Sequence, residues 1–495
     1  MSFKVLFVYP NFRGETLVPP GITLLSRILK NHGFSVEVFD TTDYGLDLAK
    51  DYEKLTERSL GVRPSPHRKL KKTDRNPWVD LNEKVNSFGP NLIAMSSTES
   101  TFELGVEVIR RIEHRDPKAM PMILGGSFAT FAPKRALDFP EIDIVCVGEG
   151  EKPLLELCQK MERGEDWHNV AGLVYRDRFG MIRQNPPPEP VSMNDNPTNF
   201  DLGLFDPERL IRPMAGQLYR MAPVETIRGC VYHCGFCNSA DTGKRMKSMG
   251  KVREELLYYR DAHAVEYAFF WADTFLMMSR QELDEFCEMY QDVRLPFWVQ
   301  TRVETVTDWR LKALQKVGLR RVAFGIENGH EEFRQRVVIK EFTNDEAVRA
   351  LALTADLGVV YNTNNIVGYP HETSEIARET IMLNRRFPNV DTTNCFTFTP
   401  YYGTLARDEA VRAGFMNPDL IAHGAAEESV LDMPQFPREE IRRFRLTFAL
   451  KVKFPESRWS EIDKAAEGTP EADFLLEKLQ VEYRQMFFGE SKNSF

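Results

Sequence analysis

The feature that most constrains this chain is the run Thr226-Ile227-Arg228-Gly229-Cys230-Val231-Tyr232-His233-Cys234-Gly235-Phe236-Cys237-Asn238, which spaces three cysteines as CxxxCxxC. Three thiolates on one short loop can hold three irons of a cubane iron–sulfur cluster, where a full set would be four. The other cysteines, Cys146, Cys158, Cys287 and Cys395, fall in segments that read as a strand, two helices and a strand, where buried structural thiols are common. One iron is then left with a coordination site for a substrate or cosubstrate. Structural zinc is the alternative, but it wants four protein ligands, and the nearest candidate, His233, is wedged beside Cys234. Clustered cysteines in a reducing compartment point to metal rather than to disulfides.

The chain of 495 residues carries 64 Lys+Arg against 73 Asp+Glu, a net charge of −9. That balance argues against a general nucleic-acid binder, which would show a strongly basic domain. One basic stretch, Lys50 to Arg75, holds Arg58, Arg63, Arg68, Lys69, Lys71, Lys72 and Arg75 and reads as a solvated insertion. With 42% apolar residues the chain can bury large cores, and its length suits two to four domains. No window approaches the ~18 uninterrupted apolar residues of a membrane span. Met1 to Tyr9 lacks the apolar core and cleavage site of a signal peptide, so the expected location is the cytoplasm.

Strand-like runs at Lys4–Tyr9, Ser35–Phe39, Leu92–Ser96, Met122–Leu124 and Ile144–Val147 alternate with helix-length segments Ile22–Asn31, Phe102–Arg111, Lys134–Asp138 and Pro153–Met161. Short apolar strands alternating with helices predict a parallel, doubly wound sheet. Its ligands bind at the carboxyl ends of the strands, near the switch point. Those ends read Ser96-Ser97-Thr98-Glu99, Gly125-Gly126-Ser127 and Gly148-Glu149-Gly150, small residues that suit a flat ligand or, taken one by one, ordinary turns. A hairpin is expected over Gly172–Gln184, then an extended linker over Asn185–Asn199 with its five prolines. From Ala222 a second series predicts strands at Pro223–Ile227, Tyr267–Trp271, Phe297–Thr301, Arg321–Gly325, Val359–Ile366 and Thr393–Phe398, with helices between them. Six such units make an incompletely closed barrel, since closure takes eight. Helical periodicity at Pro437–Val452 and Glu471–Met486 predicts a helical cap.

CxxxCxxC with Phe236 just before the third cysteine, after the first strand of a partial barrel, resembles the radical S-adenosylmethionine (SAM) enzymes. The resemblance implies that Cys230, Cys234 and Cys237 hold a 4Fe–4S cluster and that the amine and carboxylate of SAM chelate the fourth iron. Reductive cleavage then gives a 5′-deoxyadenosyl radical, with Phe236 near the adenine. The similarity continues at Phe270-Trp271-Ala272-Asp273, where Asp273 is implied to take the SAM amine. It continues at Gly325-Ile326-Glu327-Asn328, like the family's Gly-aliphatic-Glu-Ser/Thr, so that Glu327 or Asn328 reaches the ribose or the SAM carboxylate. Gly368-Tyr369-Pro370-His371-Glu372 matches the pattern that shapes the adenine pocket, and Pro400-Tyr401-Tyr402-Gly403-Thr404 the one that closes it, with Tyr401 a candidate cofactor contact.

The first half resembles the cobalamin-binding domain of one radical SAM subgroup, through Pro19-Pro20-Gly21-Ile22-Thr23-Leu24-Leu25, Gly125-Gly126-Ser127-Phe128-Ala129-Thr130 and Val147-Gly148-Glu149-Gly150-Glu151. By that resemblance Ser96, Ser97, Thr98, Gly125, Gly126, Gly148 and Glu149 contact cobalamin, and Asn11, Phe12 and Arg13 approach its lower face. The Asp-x-His-x-x-Gly signature that supplies a lower histidine to cobalt is absent; His32 and His67 lack its context. Cobalt would therefore carry no protein histidine, or the domain would have lost the cofactor. The implied fold is α/β: a doubly wound, Rossmann-like cobalamin-binding domain over 1–165, a hairpin and proline-rich linker over 166–215, a partial (β/α)6 radical SAM barrel over 216–414 and a helical cap over 415–495.

Members of that subgroup methylate unactivated carbon or phosphorus through methylcobalamin, and others, such as an anaerobic porphyrin ring cyclase, oxidise or rearrange. Methyl transfer to a small metabolite, lipid or natural-product intermediate is the leading expectation, with cyclisation, oxidation or rearrangement as the alternative. A non-catalytic sensor is disfavoured by the set Asp273, Glu327 and Gly368. The expected partners are a small-molecule substrate and an external flavodoxin- or ferredoxin-like one-electron reductant, without nucleic acid.

Overall fold

The computed structural model describes residues 2–12, 18–44, 46, 58–61, 63, 73–240 and 242–489. These divide into two compact units: residues 1–52, 69–211 and 257–264 in the first, and residues 53–68, 212–256 and 265–495 in the second.

The first unit is a seven-stranded sheet of β1 (Lys4–Tyr9), β2 (Ser35–Asp40), β3 (Leu92–Ser96), β4 (Met122–Gly125), β5 (Ile144–Cys146), β6 (Leu173–Arg176) and β7 (Ile182–Gln184), in the order β2-β1-β3-β4-β5-β6-β7. β1 to β5 are parallel, and the hairpin β6-β7 adds antiparallel to β5. Val5, Leu6, Phe7 and Val8 are all buried, which is what a central strand covered by helices on both faces requires. The helix Pro20–Asn31 begins on a proline, whose missing N–H costs nothing there, and buries Ile22, Leu24, Ile28 and Leu29. Each such side chain contributes roughly 1.5–3 kcal/mol.

Three expectations change. A helix over Pro77–Phe88 was not anticipated, although Asn76 caps it by accepting from Trp78 N at 2.9 Å and Pro77 opens it. The helix expected at Lys134–Asp138 is two short ones, Ser127–Phe131 and Pro133–Ala136. The proline-rich run is irregular as expected but fastened down: Val191 N donates to Glu149, Arg27 to the Asn199 carbonyl, and Ser26 and Lys30 both meet Asp201 at 2.6 Å.

The second unit contains β8 (Ile211–Met214), β9 (Gln217–Glu225), β12 (Tyr267–Trp271), β13 (Phe297–Thr301), β14 (Leu319–Glu327), β15 (Val360–Val367) and β16 (Thr392–Thr397), plus a small ribbon of β10 (Ile227–Arg228) and β11 (Arg245–Met246). β9 and β12 to β16 pair in chain order, each parallel to the next, as the wall of an incomplete barrel does. The last strand would leave a free edge. Helix Arg438–Lys453 packs beside it, with Ile441 and Phe448 in one core with Val367, Cys395 and Phe398. The guanidinium of Arg385 finishes that helix by donating to the Lys451 and Phe454 carbonyls at 2.6 Å each.

The basic stretch is corrected in part. Lys50, Arg68, Lys69, Lys71 and Lys72 lie outside the described residues, but Leu60 is 1% exposed and packs with Leu450, Leu476 and Tyr483. Arg63 meets Asp391 at 2.5 Å and stacks on Phe488. Leu60 therefore belongs to the core of the second unit and Arg63 packs partly buried beside it, while Arg58 and Arg75 stay largely exposed, as a solvated stretch would. Among the described residues no helix is long and apolar enough to cross a membrane.

Candidate functional site

In the second unit the expected residues gather at the carboxyl ends of the parallel strands. The cysteine loop follows β9 and joins β10 to β11, Asp273 follows β12, Glu327 ends β14, Gly368 follows β15 and Tyr401 follows β16. The loop is shaped by Gly229, at φ +84°, where a Cβ would sit 2.1 Å from the Gly243 carbonyl. Cys230 N donates to Thr242 Oγ1, Cys237 N to the Cys234 carbonyl, Gly235 N to the Val338 carbonyl, and Ala406 N to the Gly235 carbonyl. Among the described residues no three Cys, His, Asp or Glu side chains converge on one metal-sized point. Thiols spread along a loop suit a polynuclear cluster, with one iron each, better than a single zinc.

Two cations that sequence reading missed stand beside these sulfurs. Arg302 Nη1 donates to Cys234 Sγ at 2.7 Å, and its guanidinium lies 4.0 Å from the centre of the Tyr232 ring and pairs with Glu304. Lys340 is 3% exposed and meets Glu327 Oε1 at 2.9 Å and the Gly325 carbonyl at 2.8 Å. Burial raises the Cys234 thiol, with Lys340 and Arg302 pulling it back down, and burial pushes the Cys237 thiol up to about 11. Arg302 lies 68 positions from Cys234, so only the folded barrel shows the pairing.

The other expected residues have distinct environments. Asp273 opens to solvent by its own surface, yet enough protein rings it that burial raises its carboxyl, against a hydrogen bond from Ser239 that lowers it. Glu327 is in the left-handed region at φ +65°, a strained conformation for a glutamate, with its carboxylate committed to Lys340. Asn328 is fully buried; its amide donates to Glu372 at 2.7 Å and its carbonyl oxygen accepts from His330 N, so it stands behind the strand end as a brace. Glu372 also accepts from Gly368 N and Tyr369 N, holding Gly368 at φ +91°, and burial raises its carboxyl to about 8. Phe236 is half-buried against Tyr369, ring centres 6.1 Å apart. The Tyr401 carbonyl accepts from Thr404 Oγ1, and Asn238 donates to the next carbonyl, that of Tyr402.

In the first unit, Ser96, Ser97, Thr98, Gly125, Gly126 and Gly148 line the ends of three adjacent strands, next to the β1/β3 switch point where ligands of such sheets bind. Ser97 Oγ is buried without a hydrogen-bond partner among the described residues. Gly126 has φ +99°, and a Cβ there would lie 2.3 Å from the Ser97 carbonyl. That glycine lets the two strand ends pack closely, and a buried hydroxyl in want of a partner beside them fits a bound polar group. Thr130 Oγ1 donates to the Gly126 carbonyl and accepts from Gly148 N, tying two of these ends together. Thr98 forms a capping box with Thr101 for the helix Glu99–Arg110, and Glu149 accepts from Val191 N. Of the residues expected to approach the lower face of the ligand, Phe12 packs with Leu46 and Leu104, Asn11 donates to Thr42, and Arg13 lies outside the described residues.

Comparison with known proteins agrees with this geometry. The family model for the radical SAM superfamily matches residues 224–383, and that for the B12 binding domain matches residues 70–158. An uncharacterised methyltransferase of Pyrococcus horikoshii is 25% identical over 76% of this chain and 82% of its own length. The anaerobic magnesium-protoporphyrin IX monomethyl ester cyclase of Rubrivivax gelatinosus is 28% identical over 80% of this chain and 68% of its own. Among solved structures, the radical SAM methyltransferase TsrM of Kitasatospora setae, with tryptophan and a SAM analogue bound, superposes with a TM-score of 0.63 at 18% identity, over 92% of this chain and 84% of that one. With the thiol loop and the switch-point crevice each falling inside its matching domain, the chain belongs to the radical SAM enzymes that carry a B12-binding domain ahead of the barrel.

Proposed function

We propose that this enzyme transfers a methyl group to an unactivated carbon, or to phosphorus, of a small molecule. The observation that carries the reading is a pairing on one chain: a thiol loop one donor short of a full cubane set, and a separate parallel sheet whose switch-point end holds the unpartnered Ser97 hydroxyl packed against Gly126. When bound, the cluster with SAM supplies a hydrogen-atom abstractor, and cobalamin supplies a transferable methyl group. Cys230, Cys234 and Cys237 hold the cluster, and Arg302 stabilises charge on the Cys234 sulfur. Asp273 takes the SAM amine, while Phe236, Gly368 and Tyr401 enclose the adenine end. The Glu327–Lys340 pair supplies the polar wall at the end of β14, with Asn328 bracing it through Glu372. Ser96, Ser97, Thr98, Gly125, Gly126, Gly148 and Glu149 cradle cobalamin.

The reading also includes a flavodoxin- or ferredoxin-like reductant, a cytoplasmic location and no nucleic-acid partner. The likeness to the Rubrivivax cyclase favours a second reading, oxidation or ring closure without methyl transfer. The test is anaerobic incubation of protein loaded with cluster and cobalamin, with SAM and a low-potential reductant. Methyl transfer requires S-adenosylhomocysteine in proportion to bound cobalt, together with 5′-deoxyadenosine. 5′-Deoxyadenosine alone moves the enzyme to the second reading.

A further inference from the structure

Each sulfur of the thiol loop has a hydrogen-bonding neighbour of its own. Cys234 Sγ accepts from Arg302 Nη1 at 2.7 Å, and Cys237 Sγ from the Ser239 backbone amide. Cys230 is 7% exposed, and the group beside its sulfur is the hydroxyl of Thr274, with Oγ1 at 3.8 Å. A thiolate bound to iron has no proton to give, so in that contact the hydroxyl donates.

Thr274 stands where its hydroxyl would ordinarily have other work. It is the N-cap of the short helix Phe275–Met277, and a threonine there normally accepts from the amide two or three positions on. It does not cap; Leu276 N donates to Thr301 Oγ1 at 3.3 Å instead. Thr274 is buried, and among the described residues Cys230 Sγ is the partner its hydroxyl has.

Thr301 also ties this segment to Arg302. Its Oγ1 lies 2.7 Å from Thr305 Oγ1, and Thr305 donates to the Arg302 carbonyl at 2.6 Å. With the Thr305 proton committed, Thr301 supplies the proton between the two hydroxyls. The chain then runs in one direction, from Leu276 N through Thr301 and Thr305 to Arg302. Both threonines are buried, and a buried run of satisfied hydroxyls holds its ends in place. Its ends are the segment after β12 that carries Thr274 and the segment after β13 that carries Arg302. The donors to Cys230 and to Cys234 are therefore fixed by the same hydrogen bonds.

We infer that Thr274 is a redox-tuning residue: its hydroxyl donates to the Cys230 thiolate and, together with Arg302, raises the potential at which the 4Fe–4S cluster takes up its electron. Reduction adds negative charge to the irons and sulfurs, and a donor already aimed at a sulfur stabilises the reduced form more than the oxidised one. The electron comes from the external one-electron reductant, which is oxidised in turn, and no proton moves. The inference rests on the placement of the cluster at Cys230, Cys234 and Cys237 and is independent of methyl transfer.

The test is a redox titration of the full chain, loaded with cluster and cobalamin and free of SAM, followed by the electron paramagnetic resonance of the reduced cluster. Thr274→Val keeps the shape of the side chain and removes its hydroxyl. At the wild-type midpoint its ratio of reduced to oxidised cluster should fall about three- to tenfold, the size of one net hydrogen bond, with iron unchanged at about four per chain. Thr274→Ser keeps the hydroxyl and should stay close to wild type. If Thr274→Val does not fold, Thr274→Ala against Thr274→Ser decides in the same way. The inference is overturned by an unchanged ratio in the valine or alanine variant at full iron content, by a serine variant as low as the valine one, or by loss of iron from the folded variants, which would make Thr274 structural. Wild-type protein that binds no cluster removes the placement and the inference with it. The titration does not depend on turnover, so a failure to form S-adenosylhomocysteine would remove the methyl-transfer reading and leave this result standing.

Discussion

The two strand-end sites in this chain are built on opposite principles. In the first unit the ends of β3, β4 and β5 are small, and the positions that matter most, Ser97 and Gly126, offer an unpartnered hydroxyl and a backbone approach too close for a Cβ. In the second unit the ends are crowded with charged and polar groups already engaged: Arg302 on Cys234, Lys340 on Glu327, and the buried carboxyl of Glu372 on Asn328 and two backbone amides. One leaves a buried polar group for a ligand to satisfy. The other fixes an electrostatic environment beforehand, as a site must when electrons and charge change hands there.

Substitutions should separate the two. The largest effect is expected from Cys234→Ala, which takes away one of the three proposed cluster ligands. Iron should drop from about four per chain to near zero and SAM cleavage should vanish, while cobalt retained after gel filtration stays unchanged. Loss of cobalt as well would mean that the two sites are not independent. Gly126→Val should do the reverse, because its Cβ would collide with the Ser97 carbonyl at 2.3 Å in a backbone conformation that valine avoids. Cobalamin retention should fall at least tenfold, a cost of ~1.4 kcal/mol or more, with iron content intact; normal cobalt content would show that the crevice is not the binding site.

Arg302→Met keeps the side chain's bulk and removes the donor to Cys234 Sγ. Hydrogen bonds to the sulfurs raise a cluster's potential, so the variant's potential should drop by on the order of 50 mV, read by redox titration with electron paramagnetic resonance. An unchanged potential would reduce Arg302 to a packing role. The smallest effect concerns Glu372. Burial raises its carboxyl from 4.5 to about 8, so its contribution to stability is complete below 4.5 and is lost as the pH rises through 8. Glu372→Gln should flatten the decline of melting temperature over that window; an identical decline in both proteins would show that another group sets it.

Legibility from sequence followed the range of the interactions. The six barrel strands and the parallel first sheet stood out because short apolar runs recur at helix-length intervals, and Cys230, Cys234 and Cys237 because they share one loop. Helix Pro77–Phe88 was overlooked beside the basic stretch, although Asn76-Pro77 with Asp80 in the first turn is a helix-start signature. Arg302, Lys340 and Arg63 could not be read locally. Arg302 and Arg63 meet Cys234 and Asp391 across 68 and 328 positions, and Lys340 reaches Glu327, 13 positions back, only once the chain has turned away from β14. Asn328 stands where the family pattern has Ser or Thr, and its role depends on Glu372, 44 residues on.

The excursion that carries Leu60 and Arg63 into the core of the second unit has a consequence in time. Gln480 donates to the Arg58 carbonyl from 422 positions away. At ~5–20 residues per second on the ribosome, the early segment waits roughly 20–80 s for the helices that receive it. The first sheet can form while the strip running from its second strand toward its third is still without its permanent neighbours. Leu60 is then an apolar surface that a chaperone can hold, and a fragment stopped anywhere before residue 480 leaves this junction unfinished.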